Sequence, residues 1–159
     1  MLKKIISGGQ SGADLAGLDV AKAMQMETGG TMPFGFKALD ADGKTVNHPD
    51  YAEKYGIVAS DSSSYAVRTK KNVADSDGTI ILGYNLQSKG TICTLKSIVL
   101  LQKPHLMIDL NDLPSRDDVV DWLKSNNIET LNVAGNSEKT YKGTYDSVLS
   151  FLTNVLISY

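Results

Sequence analysis

The stretch ISGGQSGADLAGLDVA, residues 6–21, decides the fold expected for this chain. It joins a short apolar run at residues 3–7 to a segment in which small and apolar residues recur at helical spacing from Ala13 onward. Glycines and serines fill the junction. We therefore predict a strand, a tight turn and a helix, with Ser11 as the helix cap and Asp14 as its reciprocal partner.

The rest of the chain alternates between strand-like and helix-like apolar patterns, except in residues 28–55, where we predict mostly loop with one short extended piece. Predicted strands lie at 57–59, 78–82, 105–110 and 130–133, and predicted helices at 64–75, 91–102, 114–126 and 144–158. Parallel strands need helical crossovers. We therefore predict an α/β fold: a Rossmann-like three-layer sandwich with a mostly parallel sheet, formed by residues 1–159 as a single domain.

Composition narrows the classes of function. The chain has 159 residues and a formal charge of −2, and neither sign of charge forms a long block, so we expect no nucleic-acid partner. No apolar stretch has membrane-spanning length, so we expect no membrane partner and a cytoplasmic location. Cys93 is the only cysteine and the two histidines are far apart, so we expect no metal bound by protein ligands.

The first candidate binding segment is the loop after the first strand. Ligands of open parallel sheets bind beyond the carboxyl ends of the strands, and small residues at a helix N-terminus favour a phosphate. The loop lacks the GxGxxG dinucleotide pattern, so a simple tight turn remains the alternative. Its candidate residues are Gly8, Gly9, Gln10, Ser11 and Gly12.

A second candidate segment, NLQSKGTICT, repeats this arrangement after the apolar run GTIIL. Lys89 supplies a cation, Gly90 opens the predicted helix, and Thr91 and Thr94 supply hydroxyl groups. These residues suit a phosphate or another oxyanion. The alternative is a capping threonine beside a solvated lysine. Cys93 is predicted to be a core residue of this helix.

The third candidate segment is the helix before GTIIL. Arg68, Asn72 and Asp75 are spaced i, i+4 and i+7, so they share one helix face and can read a sugar or a base. Asp75 and Asp77 lie near the helix C-terminus, where the helix dipole disfavours negative charge, which suggests a local hydrogen-bonding role or a ligand role for them. The alternative is a solvated polar face that ends in an aspartate turn.

Taken together, SGGQSGAD, RTKKNVADSDGTIIL, KGTICT and NVAGNSEKT resemble the putative molybdenum carrier family over essentially the whole chain. This family is a branch of the Rossmann-like superfamily that includes lysine-decarboxylase-like proteins and phosphoribohydrolases. The resemblance implies a phosphate-bearing ligand, either molybdenum cofactor or a nucleotide, and a homo-oligomer.

The resemblance also assigns site residues, and it shows departures. The matching positions are Gly8, Gly9, Gln10, Ser11, Gly12, Arg68, Thr69, Asn72, Asp75, Asp77, Gly78, Gly90, Thr91, Thr94, Asn132, Ala134 and Gly135. Leu15 and Phe36 stand where the family commonly has arginine, and Asn136-Ser137 stands where Pro-Arg is frequent. The family's positive charge is therefore reduced unless Lys37, Lys89 or Lys139 compensates.

Three functions are compatible with the sequence. The first is a binding or carrier protein for a phosphate-bearing ligand at the carboxyl edge of the sheet. The second is a nucleotide-processing enzyme of phosphoribohydrolase type. Thr94 replaces the glutamate of that family's GTxxE motif, so Asp75 or Asp77 must supply its carboxylate. The third is a ligand-sensing interaction protein. The missing glutamate favours binding over catalysis.

Overall fold

A computed structural model describes residues 1–157 and residue 159. The strands are β1 (Lys4–Ile6), β2 (Glu27–Met32), β3 (Lys37–Leu39), β4 (Thr45–Asn47), β5 (Ile57–Ala59), β6 (Gly78–Gly83), β7 (His105–Asp109) and β8 (Thr130–Gly135). The helices are α1 (Ala13–Ala23), α2 (Tyr51–Tyr55), α3 (Tyr65–Ala74), α4 (Lys89–Leu101), α5 (Arg116–Ser125) and α6 (Thr144–Leu156). The helix predicted to reach residue 158 ends at Leu156, and residue 158 lies outside the described residues.

The predicted α/β sandwich is confirmed. Six strands form one parallel sheet in the order β5-β2-β1-β8-β6-β7. Strand order reverses where β8 lies between β1 and β6, which is the position at which α/β proteins of this kind bind ligands. A separate antiparallel hairpin, β3–β4, follows β2.

Helices cover both faces of the sheet. On one face, α1, α5 and α6 pack over Ile80 and Leu82 of β6, and on the other, α3 and α4 pack over Ile81. All six residues of β6 are buried, as expected for a central parallel strand with helices on both sides. Within the described part of the chain, no helix is both long enough and apolar enough to span a membrane.

The prediction of mostly loop for residues 28–55 is wrong, because β2, the β3–β4 hairpin and α2 lie there. The strand β2 carries Gly29 and Gly30 where most strands carry branched apolar residues. Gly30 has φ +126°, and a Cβ on it would clash with the backbone of Ser7, the residue that follows β1. The strand therefore uses glycine for close backbone approach, a use that apolar periodicity cannot detect.

The predicted cap of α1 is also wrong. The helix begins at Ala13 with Gly12 as its N-cap residue, and no side chain caps it. The Ser11 hydroxyl instead donates to the Leu39 carbonyl of the β3–β4 hairpin, 3.3 Å away. The Ala13 N–H donates to the Asn136 carbonyl at 3.0 Å. A loop distant in sequence thus satisfies the helix end that a local cap was expected to satisfy.

Candidate functional site

A pocket of about 610 Å³ lies beyond the carboxyl ends of β1, β6 and β8, and we call it the carboxyl-edge pocket. It lies at the reversal of strand order, where the fold places ligand sites. The described residues that line it are Gln10, Asp14, Leu39, Tyr65, Arg68, Thr69, Ser88, Lys89, Gly90, Cys93, Thr94, Ala134, Gly135, Ser137, Lys139 and Thr140.

The N-terminus of α4 opens into this pocket. The Ser88 hydroxyl caps the helix by accepting from the Thr91 N–H at 3.3 Å. Lys89 and Gly90, in the first turn, are exposed, and a Cβ on Gly90 would meet no heavy atom within 4 Å. Backbone N–H groups and the positive end of the helix dipole attract anions at such a position. This turn is the part of the pocket best suited to a phosphate.

Charge in the pocket favours an anion. Of the described lining residues, Arg68, Lys89 and Lys139 are cationic and Asp14 alone carries a carboxylate. Lys37 does not line the pocket. Its ammonium lies 4.7 Å from the centre of the Tyr65 ring and donates to the Ser63 carbonyl at 2.9 Å. Lys89 and Lys139 thus supply positive charge to the pocket, and this charge can replace that of the arginines common in the family.

A buried ion pair lies at the wall of the pocket. Arg68 Nη1 is 3.5 Å from Asp14 Oδ2, and the two side chains are 15% and 6% exposed. Burial raises the pKa of Asp14 above its ordinary value, although Arg68 and the backbone N–H groups of Gln10 and Gly8 oppose this shift. The Asp14 carboxyl therefore stays protonated to a higher pH in the folded protein than in the unfolded chain. This difference stabilises the fold below the ordinary pKa of aspartate, and the stabilisation is lost as the pH rises through the raised pKa.

Two polar atoms on the same helix lack partners. Among the described residues, Arg68 Nε and Tyr65 Oη are buried without a hydrogen bond. They lie one turn apart on α3, and the Arg68 guanidinium carbon is 5.7 Å from the centre of the Tyr65 ring. A buried polar group without a partner costs about 1–3 kcal/mol. Because Tyr65 and Arg68 both line the pocket, these two atoms are candidates to bond a ligand there.

The glycines of the first loop make room for protein groups. A Cβ on Gly8 would clash with the Arg68 guanidinium, and one on Gly12 would clash with the Asn136 carbonyl. A Cβ on Gly9 would lie 2.7 Å from the Met32 sulfur. Gly8, Gly9, Ser11 and Gly12 lie behind the pocket wall, whereas Gln10 lines the pocket.

Three predicted site residues are buried in the framework. The Asn72 side chain bonds both the N–H and the carbonyl of Thr31 in β2, at 2.8 and 3.0 Å. Asn132 donates to the Thr79 hydroxyl at 3.2 Å, and Thr91 closes the cap of α4. These residues support the pocket from behind and do not line it.

Asp75, Asp77 and Gly78 lie at the other edge of the sheet. Asp75 and Asp77 precede β6 and Gly78 begins it, so all three are at its amino end, and none lines the carboxyl-edge pocket. Asp77 accepts from the N–H groups of Glu129 and Thr130 at 3.0 and 2.8 Å. Asp75 pairs with a lysine at 2.9 Å beside a separate groove. The structure therefore does not bring these residues together with Arg68 at one ligand.

The prediction that Cys93 is a core residue is wrong, because its side chain is half-buried and lines the pocket. Leu15 and Phe36 pack against the apolar cluster that contains Tyr51, and neither lines the pocket.

Sequence reasoning missed several pocket residues. Asp14 was predicted only as a helix-cap partner and Ser137 was noted only as a departure from the family, while Tyr65 and Thr140 were not singled out. Only the fold brings these four residues together. Their one signal is position, because each lies in or next to a segment that follows a strand end or begins a helix.

Asn136, noted in the sequence only as a departure from the family, connects two walls of the pocket. It is 1% exposed. Its side chain accepts from the Asn85 N–H at 2.8 Å and donates to the Asn85 carbonyl at 2.9 Å. It thereby fixes the loop before α4 against the loop before α6.

The model of the circularly permutated YpsA SLOG family, cpYpsA, matches residues 5–156. The chain belongs to this family. A crystal structure from Syntrophus aciditrophicus SB, described as a Putative molybdenum carrier protein, is similar to this cpYpsA-family protein. The two share 34% identity over 98% of this chain and 95% of the other, with a TM-score of 0.85. No curated protein gave a match.

One stability prediction follows from the open first turn of α4. Gly90→Ala should leave the melting temperature unchanged or raise it, because alanine favours helix by up to about 1 kcal/mol and the added methyl group meets nothing. Thermal unfolding followed by circular dichroism measures this. A loss of several degrees would show that the space at Gly90 is filled.

Proposed function

We propose that this cpYpsA-family protein is a binding or carrier protein for a phosphate-bearing small molecule. The observation that carries the proposal is the exposed first turn of α4, which faces a pocket lined by Arg68, Lys89 and Lys139. The turn would hold the phosphate through backbone N–H groups, and the side-chain cations would surround it.

The rest of the pocket suits a planar ring. Leu39, Cys93 and Ala134 supply apolar wall, and a volume of about 610 Å³ is in the usual range for small-molecule sites. A nucleotide and molybdenum cofactor each combine a ring system with a phosphate. The similar solved protein is described as a molybdenum carrier, which supports molybdenum cofactor as cargo.

Metal held directly by the protein is not part of the proposal. Across the described residues, no group of three or more histidine, cysteine, aspartate or glutamate side chains is placed to hold a metal ion. The pocket's donors are N–H groups, ammonium and guanidinium, which bind oxyanions. They fit the phosphate of molybdenum cofactor and the oxygens of molybdate.

The phosphoribohydrolase-type alternative receives less support. Asp75 and Asp77, its candidate carboxylates, lie at the amino edge, away from the pocket. Thr94, in the place of the missing glutamate, donates its hydroxyl to the Gly90 carbonyl at 3.0 Å. Asp14 is the carboxylate of the described pocket lining, and it is engaged with Arg68.

Calorimetric titration tests the proposal, with AMP, adenosine, a pterin phosphate and molybdate as probes. We expect AMP or the pterin phosphate to bind and adenosine to bind more weakly, because adenosine lacks the phosphate. Folded protein that binds neither AMP nor the pterin phosphate would overturn the proposal.

Charge reversal within α4 gives a matched comparison. Lys89→Glu should weaken AMP binding by about 10- to 100-fold, because a charged hydrogen bond contributes about 1.5–3 kcal/mol. Lys96→Glu is the control: it changes charge equally on the same helix, is exposed, and lies outside the pocket. Equal losses for the two variants would mean that general charge, rather than the pocket, controls binding.

A further inference from the structure

Arg68 is held at the pocket wall by a long ion pair and has an unpartnered buried nitrogen. Its guanidinium lies against Gly8 and faces the Asp14 carboxylate, yet its Nε has no partner. The separation of 3.5 Å between Arg68 Nη1 and Asp14 Oδ2 exceeds the 2.7–2.9 Å usual for charge-assisted hydrogen bonds. The ion pair is therefore longer than is usual for two buried opposite charges, and the guanidinium keeps at least one donor, Nε, without an acceptor.

Asp14 has little freedom to follow Arg68. It lies in the first turn of α1, is 5% exposed, and accepts from the Gln10 N–H at 3.3 Å. Arg68 has a long, flexible side chain and lines the same pocket. If an anion enters the pocket, Arg68 can turn toward it, and Asp14 stays behind without its counter-charge.

We propose that Asp14 competes with the anionic group of the ligand for Arg68 and so limits the affinity of the pocket for anionic ligands. This inference rests on the proposed function. A phosphate dianion offers Arg68 more charge and more acceptor atoms than Asp14 does, so it displaces the carboxylate. A neutral ligand cannot displace it. The competition therefore lowers the affinity for anionic ligands, which must break the Asp14–Arg68 pair, and leaves the affinity for neutral ligands unchanged.

Binding of a phosphate should also change the protonation of Asp14. A buried carboxylate that loses its cationic partner becomes protonated, because the low-dielectric surroundings disfavour its charge. Binding of a phosphate should therefore be accompanied by proton uptake, and affinity should fall as the pH rises. Asp14 is the carboxylate of the described pocket lining; the other charged or titratable groups that face the pocket are Tyr65 and Arg68 on α3, Lys89 and Cys93 on α4, and Lys139 before α6.

AMP and adenosine are the probes for the test, between pH 7.5 and 9, where a phosphate monoester with a second pKa of about 6 is already a dianion. At pH 8, Asp14→Asn should bind AMP about tenfold more tightly than the wild type and adenosine equally well. The wild-type affinity for AMP should fall across this range, and that of Asp14→Asn should not. Asp121→Asn, an exposed change of equal charge on α5, should behave as wild type.

A second readout needs no variant. Calorimetry of wild-type protein with AMP at pH 8, in two buffers of different ionisation enthalpy, measures protons taken up, and net uptake is expected. Equal or weaker AMP binding by folded Asp14→Asn, or binding by the wild type without proton uptake, overturns the inference and leaves the proposed function standing. If neither protein binds AMP or a pterin phosphate, the proposed function fails as well.

Discussion

Arg68→Gln is expected to weaken the binding of AMP by about 10- to 100-fold, because the pocket loses a charged hydrogen-bond donor. Two features make the effect large. Among the described cations that line the pocket, Arg68 is the most buried. Its removal leaves the Asp14 carboxylate without a counter-charge beside an incoming phosphate. Glutamine keeps much of the length of the side chain, so the fold around Gly8 should persist. Calorimetric titration measures the effect.

Lys70→Gln is the matched control for this prediction. Lys70 lies on the same helix, α3, is exposed, and does not line the pocket. Its loss changes the net charge by the same amount, so AMP affinity should remain within about twofold of the wild type. Unchanged AMP binding by folded Arg68→Gln would remove Arg68 from the site.

The second large effect concerns stability. Gly135→Ala should lower the free energy of unfolding by about 3 kcal/mol or more, and the melting temperature by roughly 10 °C. Gly135 has φ +151°, and a Cβ there would clash with the Leu82 carbonyl of the neighbouring strand β6. Because that atom is backbone, it cannot turn aside as a side chain can.

Gly90→Ala provides the comparison, because it adds the same methyl group at an open position of the same pocket. Chemical denaturation of the two variants measures the difference in unfolding free energy. Similar stabilities would show that β6 and β8 can separate at the pocket without cost, against the close approach of Gly135 to Leu82.

The sequence predicted most of the framework because the framework rests on apolar periodicity. The run GTIIL predicted β6, which extends one residue further, and the helical pattern after it predicted α4 to within two residues of its start. The strand β2 was missed because its middle consists of Gly29 and Gly30. Gly30 lets the strand approach the backbone of Ser7 closely, and apolar periodicity along the sequence carries no sign of that contact.

The candidate site was predictable only in part, for a similar reason. The rule that ligands bind at carboxyl ends of strands directed attention to the loop before α4, which leads into the pocket. The aspartates of DSDGT, residues 75–79, instead precede β6 and lie at the opposite edge of the sheet. Motif resemblance also could not separate a glycine that lines a pocket, such as Gly90, from one that accommodates a side chain, such as Gly8. Asp14 became a candidate only through its contact with Arg68.

A crystal structure of the protein with bound AMP tests the central claim most directly. The phosphate is predicted to lie at the first turn of α4, within hydrogen-bond distance of the N–H groups of Lys89 and Gly90, with Arg68 turned toward it. The base is predicted to lie along the wall that contains Leu39 and Ala134. A phosphate bound elsewhere, such as in the groove beside Lys4 and Lys71, would contradict the account.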